Sequence, residues 1–377
     1  TFRDWNIMSK KNKSIWIVKI GSAIITRKNP GLNRNLIKNL AEQVAKLNKK
    51  NIKFIFVSSG SIAEGMKKLK LSKRPKSITY LQVLASIGQM SLVQAYETEF
   101  KKHKIFTAQV LLTHDDLNFR ERYLSIRSTV NDLIDRKIIP VINENDVTSS
   151  QEIKFGDNDT LAALVANLVA ADKLIILTDQ KGLYEDDPKL NKNAKLIKNI
   201  DLNDKKIQEY AKSSSSILGR GGMITKIEAA KKASKSGTET IIANGKTKDI
   251  LFKIFEDKNY GTLIKNNSNK INNRKLWIIN SAAAKGKIYI DDGAKEVLFS
   301  KGKSLLPIGI KKVEGNFKKG DVVICFDKNK TEVARGLVNY NSDDLLQIIG
   351  KSLKDIEKIY GLYESKEAIH RNNMVIS

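Results

Sequence analysis

The stretch Ile138–Ala171, IIPVINENDVTSSQEIKFGDNDTLAALVANLVAA, decides the fold. Its apolar run 138–142 predicts a strand that climbs straight into Asn143-Glu144-Asn145-Asp146. A short loop leads to Gly156-Asp157-Asn158-Asp159, and a nearly all-apolar helix begins near Thr160. Carboxylates this dense at a strand-to-helix junction are not core material, because ionised Asp and Glu are almost never buried unpaired. In an open α/β sheet that edge is where ligands sit. Capping by Asp157, Asn158 or Asp159 would account for one of these residues, but not for acids in two clusters. Such acids repel a bare polyanion, so they must face an ammonium group, a metal or lysines.

Working outward, Ser14–Ile20 (SIWIVKI) predicts a first strand, and its continuous apolar character fits burial on both faces. It ends at Lys19-Ile20-Gly21-Ser22, where a cation near the strand end suits a phosphate. An ordinary exposed lysine is the plain alternative in so basic a chain. Asn35–Lys49 reads as an amphipathic helix with Leu36, Leu40, Val44 and Leu47 on one stripe. Ile52–Val57 predicts the second strand and delivers Ser58-Ser59-Gly60-Ser61 into a helix start, a place for an anion or for simple caps. Leu81–Phe100, which includes Gly88-Gln89, and Glu121–Arg136 predict helices. Ala108–Leu112 and Leu174–Leu177 predict strands, the latter running into Thr178-Asp179. This alternation argues for a three-layer αβα sandwich around a mainly parallel sheet.

Gly219-Arg220-Gly221-Gly222-Met223-Ile224-Thr225-Lys226 precedes a helix over 227–233. Its glycines and its lysine in a first helical turn suit phosphates, although a glycine run is as often a surface loop. The GxxxxGK[ST] spacing of a P-loop ATPase is absent from the chain. NNSNKINN at 266–273 is a polar linker. Beyond it, short strand candidates at 276–279, 287–290, 321–326 and 332–338, separated by turn residues, predict a small β-barrel closed by a helix over 342–349. The expected boundaries are therefore an extension 1–13, a first domain 14–265, the linker, a second domain 274–354 and a tail 355–377 of mixed charge.

Composition narrows the classes. The 377 residues suffice for two cored domains, and 41% hydrophobic with 29% charged residues describes a soluble globular chain. The one cysteine, Cys325, excludes an internal disulfide and fits a reducing cytoplasm. No apolar run approaches the roughly 20 residues of a membrane helix. The N-terminal TFRDWNIMSKKNKS lacks the apolar core of a signal peptide. Met8 is a candidate initiator, which leaves open whether residues 1–7 are native. A net charge of +26 invites a nucleic-acid reading. Its distribution argues against one: residues 274–352 carry 15 Lys/Arg against 9 Asp/Glu, and residues 1–265 carry 47 against 28. The excess per residue is nearly uniform, as background composition would make it.

With these pieces placed, the chain resembles the glutamate 5-kinases, amino acid kinase family members with a C-terminal PUA domain. The likeness rests on VKIGS at 18–22, SSGSIAEG at 58–65, VINEND at 141–146, KFGDND at 154–159, LTDQKGLY at 177–184 and GRGGMITK at 219–226. NRKLW at 273–277, SLLPIGI at 304–310 and YNSD at 340–343 extend it into the second domain. Departures are mild: Ser61 is often alanine in the family, and the N-terminal extension is unusual. The resemblance implies ATP- and Mg²⁺-dependent phosphorylation of the γ-carboxylate of L-glutamate, opening proline biosynthesis. It makes Lys19, Lys226 and Asp159 catalytic, the acid orienting both lysines. It gives Ser59, Asp146 and Asn158 to glutamate. Lys19, Thr178, Asp179, Arg220, Gly221, Gly222, Met223, Ile224, Thr225 and Lys226 go to the nucleotide; the metal position stays open. It further implies a cytoplasmic homo-oligomer (dimer or tetramer), feedback by proline, and channelling of the product to glutamyl phosphate reductase. PUA domains bind RNA elsewhere, so an RNA-binding regulator with an inactive kinase domain is the competing class. Against it, Lys19, Asp159, Asp179 and Lys226 are all retained. Kinases of aspartate or N-acetylglutamate are the nearer competitors, and an acylated amine could not pair with Asp146.

Overall fold

Strands form where the apolar runs stand. In the computed structural model, which describes residues 14–26, 31–148, 158–204, 206–213, 222–256, 260–265, 278, 284–360 and 366–377, SIWIVKI becomes β1 (Ser14–Ile20), buried from Trp16 onward. β2 (Ile52–Ser58), β3 (Thr107–Leu112), β4 (Ile139–Glu144) and β5 (Lys173–Thr178) follow at the positions read from the sequence. The chain then adds a small hairpin, β6 (Leu183–Tyr184) with β7 (Leu196–Ile197), and the strands β8 (Asn199–Asp201), β9 (Glu239–Asn244) and β10 (Thr262–Lys265). The N-terminal extension, Asp157, Arg220, Gly221 and the linker 266–273 lie outside the described residues.

The chain divides into two compact units, Thr1–Asp116 with Glu121–Lys270, and Leu117–Arg120 with Ile271–Ser377. In the first, one eight-stranded sheet has the order β3-β4-β2-β1-β5-β9-β10-β8. β1 to β5 and β9 run parallel, whereas β10 is antiparallel to β9 and carries β8 alongside. Parallel strands are covered on both faces, which is why they read as unbroken apolar runs. On one face the helix Arg34–Leu47 buries the stripe Leu36, Leu40, Val44 and Leu47. These residues share a core cluster with Val18 and Ile20 of β1, Phe54 and Phe56 of β2, and Tyr96 and Phe100 of the helix Ile78–Lys101. Successive strand side chains point to opposite faces, so Lys19, between Val18 and Ile20, turns to the other side. There the helix Asp159–Val169 packs against β1 and against the helix Met223–Ser234.

In the second unit β11 (Gly286–Ile290), β12 (Ile310–Glu314), β13 (Val322–Phe326), β14 (Glu332–Leu337) and β15 (Met374–Ile376) form a sheet in the order β12-β11-β13-β14-β15. Residues 355–377, read from sequence as a tail, include β15, which pairs with β14. A strand of three residues carries too little periodicity to be recognised alone. Cys325 is buried in β13, and burial pushes its thiol up to about 12.

Candidate active site at the carboxyl ends of the central strands

The chain reverses its order across the sheet between β1 and β5, since β2 and β4 lie on one side of β1 and β9 on the far side of β5. In an open α/β sheet the crevice outside such a switch point takes the ligand. Lys19 stands one residue before the end of β1, Ser59 follows β2, Asp146 comes just after β4 and Thr178 ends β5. Four neighbouring strands thus deliver the sequence-predicted residues to one edge.

Asp159 stands at the centre of one end. It is fully buried at the first turn of its helix. Its Oδ1 forms an ion pair with Lys19 Nζ. Its Oδ2 lies 3.2 Å from Lys226 Nζ and 2.9 Å from Thr225 Oγ1. Both lysines are buried, 4% and 5% exposed, which ends the reading of Lys19 as an ordinary surface lysine. Lys226 Nζ also reaches the Gly222 carbonyl at 3.4 Å, as Thr225 Oγ1 does at 2.8 Å. The glycine-to-helix junction is therefore held to Asp159 and is no free surface loop at its described end. Met223 is buried and Ile224 exposed, and Thr178 Oγ1 donates to Asp179 Oδ1 at 3.2 Å.

Asp146 defines the other end. Ser61 Oγ donates to its Oδ2 at 3.2 Å. Burial pushes its carboxyl up to about 6; the Glu144 charge adds to the rise, while the Ser61 hydrogen bond and the Arg74 charge oppose it. Glu144 is itself buried, with His114 Nδ1 at 3.7 Å from its Oε2.

Asn158 lies between the two ends. It occupies the N-cap position of its helix, yet its side chain caps nothing, so helix capping is not its task. Instead its Nδ2 donates to the Ser58 carbonyl at 3.2 Å, to Asn143 Oδ1 at 2.8 Å and, more loosely, to Ser59 Oγ at 3.5 Å. Asn143 Nδ2 in turn donates to Gln89 Oε1 at 2.9 Å. Asn143 and Gln89 were not singled out by the sequence reading as site residues. The available signal was a polar residue on an apolar stripe: Gln89 shares the buried side of its helix with Leu81, Leu84, Ala85, Leu92 and Tyr96.

One edge therefore carries lysines gathered on an acid, fit for phosphate, and a partly desolvated acid beside hydrogen-bonding groups, fit for an amine. The family model for the amino acid kinase family matches residues 14–244, and that for the PUA domain matches residues 286–360. The chain belongs to the amino acid kinase family. Within it the similarity is more specific. Curated relatives named glutamate 5-kinase, from Hydrogenovibrio crunogenus and Nitrosospira multiformis, are each 46% identical over 96% of this chain and cover 96% and 97% of their own lengths. This places the chain among the glutamate 5-kinases. A solved UMP kinase from Ureaplasma parvum aligns over 67% of this chain and 99% of its own at 18% identity and a TM-score of 0.47.

Proposed function

We propose that the protein transfers the γ-phosphoryl group of ATP to the γ-carboxylate of L-glutamate, giving γ-glutamyl phosphate and ADP. The observation that carries this reading is the meeting of Lys19 and Lys226 on the single carboxylate of Asp159, on the same sheet edge as Asp146. Carboxylate attack on phosphate brings two anions together, so the transition state needs cations fixed beforehand. Lys19 and Lys226 supply them, and Asp159 keeps both ammonium groups aimed. A carboxylate oxygen forms the new bond to phosphorus as the bond to the ADP oxygen breaks. The nucleophile is already ionised at neutral pH, so no general base is required. Asp146 receives the ammonium of glutamate, Asn158 and Ser59 lie beside it, and Thr178, Asp179 and the segment 220–226 hold the nucleotide.

Among the described residues no group of three or more His, Cys, Asp or Glu could hold a metal ion, and Asp159 is taken up by lysines. Mg²⁺ would enter with the nucleotide, bound to its phosphates. Among the described residues no helix is long and apolar enough to cross a membrane; a cytoplasmic homo-oligomer, inhibited by proline and handing its product to a reductase, completes the reading. The test is ADP release with glutamate, aspartate and N-acetylglutamate as acceptors. Glutamate should exceed both others in kcat/KM by about 100-fold or more, and equal or better use of N-acetylglutamate would overturn the assignment of Asp146.

A further inference from the structure

The amides beside the glutamate site form a directed chain, and its direction can be derived. Carbonyl and amino ends of Asn and Gln look alike in shape, so their orientation must come from their partners. One partner here allows no choice: the Ser58 backbone carbonyl can only accept. Asn158 must therefore turn Nδ2 towards it, at 3.2 Å. The other hydrogen of the same amino group then meets Asn143 Oδ1 at 2.8 Å. That fixes Asn143, whose Nδ2 must face Gln89 Oε1, at 2.9 Å. Reversing any member would set two donors or two acceptors against each other. Among the described residues, no donor reaches Asn158 Oδ1.

The far end of the chain bears the burden. Gln89 is 9% exposed, and among the described residues its Nε2 is buried without a hydrogen-bond partner. Buried donors are ordinarily satisfied, so an orphan here needs a reason. Its seat is tightly defined: a Cβ on Gly88 would collide with the Ser61 carbonyl, and one on Gly65 with that of Leu84. Bare backbones thus bring the helix Ile78–Lys101 against the helix Ser61–Lys68, which holds Gln89 against the end of β4.

We infer that Gln89 is a positioning residue for the amino acid acceptor: through Asn143 it locks Asn158 with its carbonyl oxygen left to accept from the substrate's ammonium group. The inference rests on the proposed glutamate reading for the identity of that substrate. Only the acceptor Oε1 does the locking; the orphaned Nε2 is what the imposed direction leaves behind.

Steady-state kinetics of Gln89→Met and Gln89→Glu, with unfolding curves for both, test this. Gln89→Met keeps the volume but removes the acceptor, and should raise the glutamate KM about tenfold while the ATP KM stays within about twofold. Gln89→Glu keeps an acceptor for Asn143, and its glutamate KM should stay within about threefold of wild type. In an Asn158→Ala background Gln89→Met should add less than about twofold, because both changes act on one group. A folded Gln89→Met with an unaltered glutamate KM overturns the inference. So does a tenfold loss in Gln89→Glu, which also decides the matter should Gln89→Met fail to fold. If the wild-type chain does not phosphorylate glutamate, the substrate reading fails separately. The amide chain is then judged by hydrogen exchange of the Asn158 side-chain amide, which Gln89→Met should accelerate about tenfold and which an intact rate would contradict.

Discussion

Asp146 and Asp159 sit on the same sheet edge and differ in what already holds them. Asp159 is fully buried between Lys19, Lys226 and Thr225. Asp146 has a serine hydroxyl and feels the opposed charges of Glu144 and Arg74, and burial raises its carboxyl to about 6. The first acid has found its cations within the fold and organises them. The second carries a desolvation cost that a ligand's ammonium can relieve. On the proposed reading the same residue type serves structure and catalysis in one place and recognition in the other, with neighbouring charge deciding which.

The largest expected effect lies on the lysine side. Lys226→Met should lower kcat by about 10³-fold or more while leaving the ATP-free protein folded, measured by single-turnover transfer and circular dichroism. Retained activity would remove the lysine from the phosphoryl site. Asp159→Asn should destabilise the protein by about 3–5 kcal/mol, the usual cost of breaking a buried ion pair from one side; denaturant unfolding reads it directly.

Asp146→Asn should do the opposite. A carboxyl raised to about 6 favours the fold at low pH, and that contribution is lost as pH rises from its ordinary 3.8 through 6. Replacing it with a neutral amide should therefore raise stability at pH 7.5 by about 2–3 kcal/mol, with the gain shrinking as pH falls towards 4. The same variant should raise the glutamate KM by about 30-fold or more and leave the ATP KM nearly unchanged. A stabilised variant with unaltered glutamate KM would move the ammonium elsewhere. The smallest effect is on the wild type: its glutamate KM should rise on acidification below about pH 6, by up to about tenfold per unit, as Asp146 takes up a proton and loses its charge.

Much of this edge was legible in the residues. Unbroken apolar runs marked β1, β2, β4 and β5 because parallel strands are buried on both faces, and Glu144, Asp146 and Asp159 fall at the carboxyl-end edge that the sequence pointed to. What stayed hidden is three-dimensional. Nothing local to Lys19 says that it is buried, because its burial depends on Asp159, 140 residues further on. Capping was one role the sequence offered Asn158, since a helix start offers every Asn that role; its actual acceptors, the Ser58 carbonyl and Asn143 Oδ1, come from other strands and could not be read locally. Gln89 sat within a predicted helix, and nothing in its sequence neighbours announces Asn143 as its partner. Strand β15 needed β14 to define it.

Proton release on glutamate binding tests the contrast between the acids most directly. Titration calorimetry at pH 6, with a non-hydrolysable ATP analogue present and in two buffers of different ionisation enthalpy, gives the number of protons exchanged. Wild type should release about half a proton per glutamate bound, as the incoming ammonium drives the half-protonated Asp146 to ionise, and Asp146→Asn should release none. Equal release from both proteins, or none from wild type, would contradict it.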